Sequence, residues 1–310
     1  MHNIYQVQSA NKWKSAIVVA LFVVFIFAAV YIISSAFGYY EGYQPDGFGL
    51  VGIALIVSGI SSFVSYYYSD KIILGISGAR RATPQEDKLF TQVVENLCIG
   101  AGIPKPTLYV IDDPSPNAFA TGRDPKHAAI CATSGLLAKL NRSELEGVFG
   151  HELTHVKNYD TRLMAVVAVM VGLVALLGDW FMRSMWFGGG RRRGNGEGEA
   201  GAIFLVLGII FAILSPVIGT LIQLAISRRR EFMADAGSVA ITRQPGDLIS
   251  ALEKISDDPE PLLKANKATA HLYIENPFKK DGHGKVAWFS GLFDTHPPIK
   301  DRIKALQSMI

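Results

Sequence analysis

The sequence predicts a membrane α-helical fold, with four transmembrane helices, joined to an α+β soluble domain, and three observations support this. Four long apolar runs, 16–37, 48–68, 163–182 and 202–226, contain no charged residue except Asp179 near one end. Each has at least the roughly 20 residues that a helix rising about 1.5 Å per residue needs to cross a bilayer. The stretches 71–162 and 227–310 carry most of the charge and mix helix signals with short β-prone runs. Finally, His151-Glu152-Leu153-Thr154-His155 stands just before the third run, and Glu231 just after the fourth. The expected organisation is a membrane hairpin over 1–70, a second over 163–226, and one cytoplasmic domain built from 71–162 and 227–310.

Composition agrees. The 310 residues are 49% hydrophobic, and the mean hydropathy is positive. The first run follows Lys12 and Lys14 and ends near Ser35-Ala36, as a cleaved signal peptide could. It is too long for a typical signal core, and a second run follows almost at once, so an uncleaved anchor is expected. The net charge of +3 and the absence of a basic, aromatic-studded groove give no nucleic-acid signal. Cys98 and Cys131 lack metal-ligand spacing and are given no role. His2, His127, His271 and His283 also lack ligand spacing to one another.

The charge distribution orients the runs. Lys12 and Lys14 precede the first, whereas the loop to the second carries Glu41 and Asp46. Lys71, Arg80, Arg81 and Arg228–Arg230 then fall on the same side as the N-terminus, the cytoplasm by the positive-inside rule. Arg183 and Arg191–Arg193, between the third and fourth runs, conflict with this unless that hairpin dips into the membrane without crossing it. Either version returns both its ends to one side.

Within the soluble part, Thr83-Pro84 reads as the N-cap and first position of a helix. Leu89, Val93, Leu97 and Ala101 form its apolar face, and it stops near Gly102-Ile103-Pro104. The β-prone runs 107–111 and 127–133 read as strands, and 117–122 as a short edge strand. Ser143 with Glu146 matches a capping box opening the helix that carries His151 and His155. No Gly or Pro follows until Gly172, so that helix is expected to run straight into the third span. The motif would then lie about 12 Å above the membrane surface. Further helices are expected over 247–255 and 299–309, and a long loop over 265–291.

Two His four residues apart on a helix place both imidazoles on one face, as a zinc site needs, and Glu152 between them has the position of a general base. A third ligand at a downstream His would require Gly at 158 and His at 161; the chain has Asn158 and Thr161. Glu231 is the alternative. Asp235, one turn on, shares its face and can accept an N–H from a ligating imidazole, His151 being the first candidate. The expected catalytic domain is therefore zincin-like, of the gluzincin type, with one Zn²⁺ per chain. Zinc would activate water, Glu152 would take and return its proton, and a peptide bond would be hydrolysed.

The sequence resembles the HtpX-type membrane zinc metallopeptidases, relatives of the CAAX prenyl endopeptidases. The likeness spans nearly the whole chain through HELTH at 151–155, REFMAD at 230–235, NAFATG at 117–122 and THPP at 295–298. It implies that Asn117 and Phe119 contact an extended substrate. It also implies that His296 stabilises the tetrahedral intermediate and that Arg302 orients His296. The partners implied are polypeptides, damaged membrane proteins among them, and the lipid bilayer. The location implied is the cell inner membrane, multi-pass, with the catalytic domain cytoplasmic. Two rivals fit less well. An intramembrane zinc protease would bury the motif in lipid, yet Lys157, Asn158, Asp160 and Arg162 follow it at once. A non-enzymatic membrane protein with a structural metal would not need Glu152 beside the ligands.

Overall fold

Helix α1 (Ile4–Tyr40) and helix α2 (Gly47–Ile76) pack side by side and present large apolar residues outward, Ile17, Leu21 and Val24 on one, Ile53, Ile56 and Ile60 on the other. The structure, a computed structural model, describes residues 4–40, 47–83, 85, 87–170, 228–263, 269, 272–275 and 297–310. Gln6–Ala28 and Val51–Ile76 are long and apolar enough to cross a membrane. Of the other two expected spans, only 163–170 is described, as part of a helical stretch over 160–170; the remainder of 171–227 lies outside the described residues. Leu163, Val166, Val167 and Met170 of that stretch pack on Val18, Phe22 and Ile26 of α1.

A four-stranded mixed sheet forms the middle layer. Strands β1 (Arg80–Arg81), β2 (Thr107–Ile111), β3 (Ala118–Gly122) and β4 (Ala128–Thr133) lie in the order β1-β2-β4-β3, with β2 and β4 parallel and the other pairs antiparallel. Side-chain direction alternates along each strand. Leu108, Val110, Ala118, Ala120, Ile130 and Ala132 face one core, whereas Ile111, Phe119, Ala129 and Cys131 face the other. Both faces are covered. The first core holds α3 (Lys88–Ala101), α5 (Arg142–Lys157), α7 (Pro245–Asp257) and α8 (Ile299–Gln307); the second holds the end of α2 and Met164, Ala165 and Ala168. A short α4 (Ser134–Lys139) links β4 to α5, and α6 (Arg228–Thr242) packs along α5.

Strands β2, β3 and β4 and the helices α7 and α8 match the sequence expectations closely, and β3 is indeed an edge strand; β1 was not expected. Three local expectations are corrected. Helix α3 starts at Lys88 with Asp87 as its N-cap, not at Thr83-Pro84; Asp87 carboxylate oxygen Oδ2 accepts the Thr83 N–H instead. Its face is set by Phe90, Val93, Val94, Leu97 and Cys98, and Leu89 is exposed. It does end at Gly102, whose φ of 67° is the left-handed conformation glycine supplies at a helix terminus. The capping box on α5 is Asn141 with Glu144, two residues earlier than expected. Glu144 reaches the Asn141 N–H at 2.9 Å and also accepts from Ser250 and Lys254 of α7, which ties the two helices together.

The third correction bears on the site. α5 does not run into the membrane stretch: it ends at Lys157, Asn158 donates its N–H to Thr154 O, and Tyr159 adopts φ 61° before helix resumes at Asp160. Asn is tolerated at a helix end for the same reason it suits turns, a local cue weaker than Gly or Pro. The first turns of α1 secure the break. Asn11 donates to Asn158 O at 2.9 Å, Gln8 to Lys157 O at 2.9 Å, and the Lys12 ammonium sits 4.2 Å from the centre of the Tyr159 ring.

α6 approaches α5 through small residues. A Cβ on Gly150 would come within 2.7 Å of Ser238 Oγ, and one on Gly237 within 2.3 Å of Thr154 Cγ2. Ser238 Oγ donates to Gly147 O at 2.6 Å across the same contact. Replacement Gly237→Ala is expected to cost about 1–3 kcal/mol through overpacking. Thermal unfolding should show that loss, and Thr154→Ala in the same chain should recover part of it.

Candidate metal centre

Because α5 and α6 lie so close, three donors converge. His151 Nε2 and His155 Nε2 are 3.1 Å apart, and Glu231 places Oε2 3.7 Å from the first and Oε1 3.4 Å from the second. Donors bound tetrahedrally at 2.0–2.1 Å from zinc stand about 3.3 Å from one another, so the two imidazole nitrogens have the spacing of such a site, and each has a Glu231 oxygen near that distance. All three residues are buried, and the group could hold one metal ion. Two imidazole nitrogens facing each other at this distance repel unless a proton or cation lies between them.

The opposite nitrogen of each ring is occupied. His151 Nδ1 lies 2.8 Å from Asp235 Oδ1, and His155 Nδ1 lies 3.1 Å from Asp160 Oδ2. A carboxylate at Nδ1 keeps the hydrogen there and turns the Nε2 lone pair towards the triangle. Asp235 is in turn gripped by Arg302, whose Nη2 and Nε donate at 2.6 and 3.0 Å to its two oxygens, a bidentate pair. Asp160 accepts from Asn11 Nδ2 at 2.8 Å and lies 3.5 Å from Arg230 Nη1. Glu152 is buried on the same turn of α5 as His151.

Charge matches the donor set. Glu152, Asp160, Glu231 and Asp235 are four buried carboxylates, and Arg230 and Arg302 are the buried guanidinium groups beside them. Among the described residues, and with both imidazoles neutral as ligation requires, the excess is two negative charges, which a divalent cation neutralises. Burial holds His151 neutral, lowering its pKa to about 4 against the pull of the Asp235 hydrogen bond. Burial also opposes charge on His155, but the hydrogen bonds to Asp160 and Glu231 outweigh it and raise the pKa to about 10. For Asp235, burial would raise the pKa; Arg302 and His151 reverse that and bring it to about 2. Burial likewise works against charge on Arg302, and Asp235, Glu231 and Glu152 more than offset it.

Other sequence-predicted residues fall differently. Arg302 engages Asp235 and the Ile274 carbonyl; His296, which it was expected to orient, lies outside the described residues. Asn117 and Phe119 are both buried, so neither side chain presents a surface to substrate. Asn117 donates to Glu275 O at 3.1 Å, and Phe119, on the sheet face away from α5, packs edge-on against Tyr273 at 5.0 Å. Strand periodicity accounts for this placement: with Ala118 and Ala120 facing α5, Phe119 must face α2. Asp160, Arg230 and Asn11 were missed. The signal for Asp160 was weak, a carboxylate five residues past His155 that a continuous helix would have carried away from it.

The profile of peptidase family M48 matches residues 84–310. The chain belongs to peptidase family M48. Similarity extends over the full length to proteins named "Protease HtpX homolog". The one from Caldanaerobacter subterraneus subsp. tengcongensis is 44% identical over 99% of this chain and 98% of its own. That from Dictyoglomus thermophilum is 46% identical over 98% and 94%, and that from Streptococcus uberis 41% over 99% and 100%. Among solved structures, "Crystal Structure of S. mikatae Ste24p" aligns at 18% identity over 95% of this chain and 66% of the other, with a TM-score of 0.49, too distant to argue from. As an M48 peptidase with this donor cluster, the protein is a membrane-associated zinc metalloprotease that acts on polypeptides.

Two outcomes follow for metal binding. Asp160→Asn and Asp235→Asn should each weaken zinc affinity about 10–100-fold, read by competition with a chromogenic chelator. Ligation needs both imidazoles neutral, and with His151 near 4 and His155 near 10 only the second is an imidazolium, with a proton on Nε2 to lose, at pH 7. Zinc binding should therefore release about one proton, and affinity should rise about tenfold per pH unit through the neutral range. Calorimetry in buffers of different ionisation enthalpy measures the proton count.

Proposed function

We propose that the protein is an integral membrane endopeptidase in which His151, His155 and Glu231 hold zinc and Glu152 is the general base. The observation that carries this reading is the convergence of His151, His155 and Glu231 into one buried donor group, with the buried Glu152 carboxylate on the same helical turn as His151. Bound zinc supplies a Lewis acid that lowers the pKa of a ligated water to about 7 and polarises a carbonyl. Glu152 accepts the proton of the attacking water and returns it to the departing amine. Asp235, clamped by Arg302, and Asp160, held by Asn11 and Arg230, keep the two imidazoles aimed while charge redistributes. His296 donates to the developing oxyanion.

Substrate backbone would pair with the outer edge of β3. Asn117 O accepts from Thr133 N, so residues 117, 119 and 121 bond towards β4, and Ala118 and Ala120 direct their peptide groups outward. Ile274 N already donates to Ala118 O, so this edge receives main chain from a neighbouring segment in the structure itself. Such recognition reads main chain rather than side chain and suits broad specificity.

In this reading α1 and α2 form the hairpin of 1–70 and cross the cell inner membrane. The stretch 163–226 forms a second membrane hairpin, and the catalytic domain, 71–162 with 227–310, is cytoplasmic. Lysines at the start of α1 and the arginines opening α6 support this orientation. Contacts from Gln8 and Asn11 to the end of α5 hold the site close to the head of α1. That proximity favours damaged or misfolded membrane proteins as substrates, a quality-control role.

Glu152→Gln should keep its zinc while casein cleavage in detergent falls by about 10²–10⁴-fold. Cleavage at the wild-type rate with zinc bound would remove Glu152 from the mechanism.

A further inference from the structure

A cavity of about 450 Å³ lies between the end of α2 and the sheet, on the face of the sheet turned away from α5 and the metal centre. We propose that it binds the headgroup of an anionic phospholipid, with the phosphate among its cations and the acyl chains running down α2. The proposal rests on the reading of α2 as a membrane-crossing helix.

The lining changes character along its length. Phe63, Tyr67 and Tyr68 of α2 form the apolar end, and all three are substantially exposed. One to two turns further along α2 and across to the sheet, Lys71, Lys105, Arg123 and Lys126 form the other end. An amphiphile has this same sequence of chemistries, and Tyr is enriched where a helix passes the headgroup level. A soluble anion would have no use for the exposed Phe63.

The cations outnumber the anions facing them. Asp70 lines the cavity, Glu95 stands 3.5 Å from Lys105 on the exposed surface, and Asp124 lies 3.7 Å from Arg123. Asp124 is already engaged: its Oδ1 accepts from the main-chain N–H groups of Lys126 and His127 and meets His127 Nδ1 at 2.8 Å. Lys71 and Lys126 form no ion pair among the described residues. Their ammonium groups retain donors for phosphate oxygens.

Aromatic rings position two of the cations in advance. The Lys71 ammonium stands 5.2 Å from the Tyr68 ring centre, and the Arg123 guanidinium 5.2 Å from that of Tyr67, whose carbonyl it also reaches at 3.3 Å. A lipid held here would join α2 to the strand end at Arg123 and so fix the height of the sheet above the bilayer. The cytoplasmic leaflet, where the proposed topology puts this end of α2, carries the anionic lipids.

The test uses the full-length protein in nanodiscs of phosphatidylcholine with a minor fraction of phosphatidylglycerol, and native mass spectrometry of the lipids retained. Wild-type protein should retain phosphatidylglycerol in excess of its bulk fraction. The enrichment should fall about fivefold for each of Lys71→Gln, Lys105→Gln and Lys126→Gln. The triple Lys→Arg variant should restore it, which separates lost charge from lost folding. Retention at the bulk ratio, in protein that has entered the discs, overturns the site and leaves the membrane reading standing. Failure of the protein to enter discs at all overturns both. Displacement of the lipid by millimolar inorganic phosphate, with equal retention of phosphate by the protein in neutral discs, would show a free-phosphate site and overturn the lipid assignment.

Discussion

Helices α5 and α6 approach so closely that Gly150 and Gly237 leave no room for a Cβ, and the donor cluster depends on that approach. A wider separation would carry Glu231 away from His151 and His155, which sit on the facing turn. The contact also places Asp235 against His151 Nδ1. Packing thus comes before chemistry: the capping box at Asn141 and Glu144 and its ties to α7 set where α5 begins, and the small residues set how near α6 may come.

Electrostatics then makes the site demanding. Four carboxylates buried with two guanidinium groups would oppose folding unless a cation or protons offset the excess charge. The two imidazoles are supported asymmetrically. Asp235 answers to Arg302, at the far end of the chain, and Asp160 to Asn11, in the first turns of α1. The proposed site is therefore assembled from both termini as well as from α5 and α6. The part of the chain read as a membrane hairpin does more than anchor: its head holds Asp160, which holds His155.

Much of this was legible in the sequence because it is local. Strands β2 and β4, the edge position of β3, and helices α7 and α8 follow from short-range pattern, as does the pairing of His151 with His155 on one face. Glu231 followed from the absence of a downstream His at 161 and from a hairpin that returns both its ends to one side, and the HELTH and REFMAD likeness agrees with it. What escaped were features set by tertiary contact. The end of α5 at Asn158 is stabilised by Asn11 and Gln8, nearly 150 residues away, and its one local cue, Asn158 itself, is weak. Phe119, which the family likeness implies as a substrate contact, is buried against Tyr273 on the sheet face turned away from α5, a placement set by tertiary packing. The glycines of α5 and α6 were visible as residues, but their meaning lies in what they face.

Zinc-edge X-ray absorption on the purified full-length protein tests the central claim most directly. Two imidazole nitrogens with oxygen ligands at about 2.0–2.1 Å are expected, with carboxylate scattering lost in Glu231→Ala. A spectrum with one imidazole, or one unchanged by Glu231→Ala, would contradict the convergence of α5 and α6 on a single ion.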